Sequence, residues 1–124
     1  MTGAEKLARL EKALAHGGPT HTAADVVQLI EERRAQLWER RDGAIITEVH
    51  TFPLLKTVNY WLAAGDLNDC LALQSEIDEW ARGEGCEVAT LTGRRGWGRA
   101  AAGWQLDGYS YRKPLSPFWS AEHV

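Results

Sequence analysis

Gly93-Arg-Arg-Gly-Trp-Gly98 brings glycines and arginines together, a composition suited to holding an anion on backbone N–H groups and guanidinium charge. It lacks the Lys-Ser/Thr of a P-loop and the register of a dinucleotide-binding turn, so the simpler reading is a strand-to-helix turn with Trp97 packing back. The four histidines, His16, His21, His50 and His123, could serve metal or base chemistry. They share no helical or hairpin ligand spacing with one another or with Cys70 and Cys86, so no metal site is expected and surface or capping roles fit better. Trp97, Trp104, Tyr109, Tyr111, Phe118 and Trp119 lie near basic residues and could stack bases. Aromatic clusters of this kind more often build core and interface, and Trp97, Trp104, Phe118 and Trp119 are read as interface residues.

The chain has 124 residues, 44% apolar and 25% charged, with a net charge of −3. One domain with its own core is expected, and the charge gives no general attraction to nucleic acid or to an anionic membrane. Local clusters at Arg33, Arg34, Arg40 and Arg41, and at Arg94, Arg95 and Arg99, fit solvated helix ends and turns. Apolar runs such as Trp61-Leu-Ala-Ala64 are too short to span a bilayer, and Met1 to Glu5 does not open a signal peptide. A soluble, unsecreted chain with two reduced, part-buried thiols is therefore expected.

The elements follow from periodicity. Leu7, Leu10, Ala13 and Leu14 predict a helix over Thr2–His16, stopped by Gly17-Gly18-Pro19. Thr20 or Thr22 caps a second helix whose apolar side holds Val26, Val27, Leu29 and Ile30. Gln36–Glu39, Ala44–His50 and Leu54–Ala63 alternate as strands, with Asp42-Gly43 as a hairpin signal and Phe52-Pro53 as the next turn. In the third strand Leu54, Val58, Tyr60 and Leu62 are expected on one face. Asp66 caps the strongest helix, whose stripe carries Leu67, Cys70, Leu71, Leu73, Ile77, Trp80 and Ala81 up to Gly83 and Gly85. Cys86–Leu91 then returns parallel to its predecessor, a helix is expected over Arg94–Trp104, and Gly108–Lys113 is expected as the last strand. The domain is placed at residues 1–114, with 1–19 its N-terminal helix and turn. Residues 115–124 form a tail whose Phe118 and Trp119 suggest an interface.

This order of elements over residues 20–114, with Trp80-Ala-Arg-Gly-Glu-Gly-Cys-Glu-Val-Ala89 and Gly103-Trp104, resembles the GNAT N-acetyltransferase superfamily. The resemblance implies an α/β fold: a mixed sheet with an antiparallel meander, helices on both faces, in a single domain. It also implies a pyrophosphate loop of Q/R-x-x-G-x-G/A pattern at the start of the long helix, where glycines let the backbone approach and the helix dipole favours anions. Here that stretch is Ala63-Ala-Gly-Asp-Leu-Asn-Asp69, with one glycine, no preceding Arg or Gln, and two carboxylates. The position of the family's frequent general-acid tyrosine falls on Arg99, which cannot return a proton. In such enzymes bases often sit on the meander strands facing the cleft, which makes Glu48 or His50 the candidate base.

Without a cofactor loop, no bound cofactor is expected and the chain is read as leaning away from catalysis. Gly65-Asp-Leu, Trp80 to Cys86 and Gly93-Arg-Arg-Gly-Trp97 also resemble small GNAT-like proteins of tailed bacteriophages. That resemblance implies a non-enzymatic virion component, made in the bacterial cytoplasm and oligomeric, with other virion proteins such as a portal or internal core as partners in DNA ejection. The alternative is a divergent N-acetyltransferase using Glu48 or His50, and a host-directed binding protein is a third reading.

Overall fold

The computed structural model describes residues 3–16, 20–92 and 103–117. The elements run α1 (Gly3–His16), α2 (Ala23–Glu31), β1 (Gln36–Arg40), β2 (Gly43–Thr51), β3 (Lys56–Gly65), α3 (Leu67–Gly83) and β4 (Val88–Leu91). They build a sheet of order β1-β2-β3-β4, in which β1, β2 and β3 form an antiparallel meander and β4 lies parallel to β3. The expected mixed α/β architecture is present, with α1 and α2 on one face and α3 on the other.

Thr22 is the cap that starts α2. Its hydroxyl accepts the Asp25 N–H while the Asp25 carboxylate accepts the Thr22 N–H, at 3.1 and 2.8 Å, a reciprocal capping box. Asp66 starts α3 with a one-way cap, its carboxylate accepting the Asp69 N–H at 2.9 Å. Between the strands, Arg41-Asp42 makes the β1–β2 turn and the Phe52–Leu55 segment makes the next, closed by the Phe52 N–H on the Leu55 carbonyl.

Two cores flank the sheet. Cys70, Leu73, Ile77 and Ala81 recur at helical spacing along α3 and meet Ile45, Val58 and Tyr60. Trp38 and Trp80 join this core edge to face, 5.5 Å between ring centroids. On the other face Leu14 of α1 and Val26 of α2 pack with Ala35 and Ile46, and with the half-buried Trp61 and Leu62. Burying these two sets of aliphatic side chains, at about 1.5–3 kcal/mol each, is what holds the helices to the sheet.

A β-bulge corrects the expected face pattern of β3. Val58 pairs with Val49 and Tyr60 with Thr47, but Leu62, not Trp61, pairs with Ile46. Trp61 is the extra residue, so alternation breaks there: Val58 and Tyr60 face α3, whereas Leu62 faces α1 and α2. The predicted last strand is also corrected. Gly108–Lys113 pairs with no strand among the described residues, and Tyr109 and Tyr111, which a sheet would order, are 74% and 88% exposed. The helix predicted over Arg94–Trp104 lies outside the described residues except for Gly103 and Trp104, and so do Trp97, Arg99, Phe118 and Trp119.

Candidate active site

Period-two alternation along β2 sends Ile45, Thr47 and Val49 towards α3, leaving Ile46, Glu48 and His50 on the α1/α2 face. The sheet register then aligns Glu48 with Asn59 of β3 and Thr90 of β4, a polar row across three strands. The Thr90 hydroxyl donates to Asn59 Oδ1 at 2.9 Å, which leaves the Asn59 amide N–H groups to donate elsewhere. His50 lies in the next row, its Nε2 3.9 Å from Glu48 Oε1, with the Glu48 side chain 26% exposed and that of His50 43%. The two candidate bases are thus brought together on a partly open surface. Trp61 follows Asn59 on that face and meets His21 edge to face at 4.8 Å, forming a wall beside the row. An apolar cavity of about 200 Å³, lined by Leu10, Val27, Ile30, Ile46 and Leu62, lies beyond Trp61 beneath α1 and α2.

The sheet opens next to this row. β4 pairs with β3 only from Thr57 to Tyr60, while β3 continues to Gly65, so among the described residues no strand covers the outer edge of 61–65. On the α3 side of the opening, Tyr60 donates its hydroxyl to Asp78 Oδ1 at 2.6 Å, and burial pushes the phenol far above its ordinary range. Trp104 stands edge-on to Tyr60 at 5.2 Å and donates its indole N–H to Gln74 Oε1 at 2.9 Å. It is half-buried within its own chain. Burial likewise raises the Cys70 thiol, which points at the Ala64 and Ala44 carbonyls and is not poised as a nucleophile.

The corner between β3 and α3 is packed shut. Gly65 adopts φ +92°, and a Cβ there would lie 1.9 Å from the Asp42 carbonyl oxygen, which accepts the Asp66 N–H at 2.8 Å. Asp69 accepts the Asp42 N–H at 3.2 Å and approaches Arg40 Nε at 3.7 Å. The β1–β2 turn therefore rests on the first turn of α3, and two carboxylates occupy the positive end of its dipole. A pyrophosphate does not fit this corner: the Asp69 N–H is already used, and both carboxylates would repel it. Among the described residues no three His, Cys, Asp or Glu side chains gather to hold a metal, and no helix is long and apolar enough to cross a membrane.

The sequence missed the Asn59–Thr90 contact and the Tyr60–Asp78 bond, whose partners are 31 and 18 residues apart. The one available signal was Thr57 and Asn59, polar residues inside an otherwise apolar strand.

No protein-family model and no curated protein matches the sequence. Solved structures do, along nearly the whole chain. A Trypanosoma brucei acetyltransferase superposes with a TM-score of 0.59 at 13% identity, over 93% of this chain and 96% of that one. A GNAT family acetyltransferase from Staphylococcus aureus gives 0.56 at 15% identity over 93% and 95%. The ribosomal-protein-alanine N-acetyltransferase of Brucella melitensis gives 0.53 at 15% identity over 87% and 94%. This chain has the GNAT fold. The expectation of a non-enzymatic bacteriophage virion component with a part in DNA ejection is corrected by this finding. The GNAT-fold structures it resembles and that carry an activity in their names are acetyltransferases, and none is named as a phage protein. The leaning away from catalysis, which rested on the α3 corner alone, is withdrawn with it.

Proposed function

We propose that this chain is a GNAT-fold N-acyltransferase that acylates a primary amine, with Glu48 as the group that takes the amine's proton. The observation that carries the reading is the Glu48–Asn59–Thr90 row beside an outer edge of β3 that no strand covers among the described residues. A carboxylate base needs to be partly desolvated yet reachable, and Glu48, with its side chain 26% exposed, meets both conditions. Asn59, its oxygen engaged by Thr90, supplies N–H donors next to the base and can orient an acceptor. His50 is close enough to form an ion pair with Glu48 when protonated, which positions the carboxylate. The acetyltransferases that share the fold support acyl transfer as the reaction class.

The test is a mass-spectrometric transfer assay with amine acceptors, including peptide N-termini and polyamines, and with acetyl-coenzyme A and acetyl-pantetheine as donors. Wild type is expected to acylate at least one amine, and Glu48→Gln to lower kcat by about 10²–10⁴ with the fold intact. Absence of any acylated amine with either donor, or full activity in Glu48→Gln, would overturn the proposal.

A further inference from the structure

We infer that the acyl donor of this chain brings no pyrophosphate to the N-terminus of α3, so that its thioester is recognised through the thiol arm alone. The inference rests on the acyl-transfer reading above and follows from the corner at Asp66 and Asp69. Helix N-termini hold phosphates because first-turn N–H groups are free and the dipole is uncompensated. Here the Asp69 N–H of the first turn is taken and the dipole meets two carboxylates. Asp66 takes the Asp69 N–H, Asp69 takes the Asp42 N–H, and the Asp66 N–H goes to the Asp42 carbonyl.

The packing is tight as well as acidic. A Cβ at Gly43 would fall 2.7 Å from Asp69 Cβ, so the start of β2 abuts the helix and Asp69 cannot swing towards β2 to make room. Arg40 compensates one carboxylate in part, at 3.7 Å, while Asp66 carries its charge at the cap. A donor with a diphosphate at this point would meet two negative groups and would gain only the N–H groups of Leu67 and Asn68. A donor without one loses nothing. Its thiol arm can lie along the edge of residues 61–65, which no strand covers among the described residues. The chemistry that fits is a thioester of a pantetheine-type thiol lacking the diphosphate.

The experiment is calorimetric titration of the full chain with pantetheine and with coenzyme A, repeated on Asp66→Asn/Asp69→Asn. Asparagine keeps the cap and the acceptor for the Asp42 N–H while removing both charges, so the variant is expected to retain its far-UV circular dichroism and melting temperature. Wild type is expected to bind the two probes within about threefold of each other. The double variant should gain at least about tenfold for coenzyme A and leave pantetheine unchanged. Tenfold or greater preference of wild type for coenzyme A, or an unchanged ratio in the variant, overturns this inference and leaves acyl transfer standing. Binding of neither probe to either protein overturns the inference together with the reading it rests on.

Discussion

Thr47→Val isolates one hydroxyl in the wall between the meander and α3. Thr47 is fully buried, its Oγ1 accepts the Trp38 indole N–H at 3.0 Å, and the same hydroxyl donates to Gln36 Oε1 at 2.9 Å. Valine fills the same volume, so the cost is polar. Gln36 is half-buried and can turn its oxygen to water, whereas the Trp38 N–H is locked by packing against Trp80 and is left without an acceptor. An orphaned donor costs about 1–3 kcal/mol, and the added methyl returns about 0.8 kcal/mol, so a net loss of up to about 2 kcal/mol is expected. In urea this moves the midpoint down by up to roughly 1.5 M at an ordinary slope for a chain of this size. Repeating the substitution in a Trp38→Phe background removes the donor, and there Thr47→Val should be neutral or stabilising. The coupling between the two sites is then about 1 kcal/mol or more. Equal midpoint shifts in the two backgrounds would refute the reasoning.

Other outcomes follow from the same packing. Ile77→Ala, at a fully buried position of the α3 core, is expected to cost about 2–5 kcal/mol in chemical denaturation, and Trp80→Ala, half-buried, should fall at the lower end of the range. Tyr60→Phe removes the bond to Asp78 and should cost about 1.5–3 kcal/mol at neutral pH. Because the folded state raises the Tyr60 pKa, the stability it contributes is whole below pH 10 and is lost as pH rises further, at about 1.4 kcal/mol per unit. Urea midpoints at pH 9, 10 and 11 should show that slope reduced in Tyr60→Phe; identical slopes would count against it. Gly65→Ala, forced to a positive φ and against the Asp42 carbonyl, should destabilise by more than about 2 kcal/mol, readable as a lowered melting temperature.

Local signals carried most of the fold. Asp66 and Thr22 cap as expected because a capping side chain acts within three residues of itself, and the α3 stripe is legible because its period is set by the helix alone. Leu67 shows the limit: it belongs to the stripe by type but sits at the first turn, 47% exposed, beyond the reach of the sheet. Leu62 was assigned to the face of Tyr60 because nothing in the sequence marks Trp61 as an extra residue; the bulge exists only in the pairing with Ile46 and Thr47. Gly108–Lys113 has the alternation of a strand, but a strand also needs a neighbour, and its composition cannot supply one. For the site, the residue types at Glu48 and His50 were visible, whereas the Asn59–Thr90 support depends on a register set across a helical crossover. At the α3 corner the acidic residues were plain, but their engagement by the turn at Asp42 was not.

The extra residue at Trp61 has a consequence for how this chain can change length. Upstream of it, side chains of β3 are in one phase, and downstream in the other, with Ala63 back towards α3 and Leu62 towards the opposite core. Deleting Trp61 would close the bulge. It would restore simple alternation while Leu62 kept its pairing with Ile46 and Ala63 with Ile45, so both cores would keep their buried side chains and only the wall beside Glu48 would go. The Phe52–Leu55 connection, exposed except at Leu55, can absorb an insertion without rephasing anything. Length variation in proteins built like this one should therefore collect at that turn and at Trp61, the position within β3 where a residue can be lost without turning over those that follow.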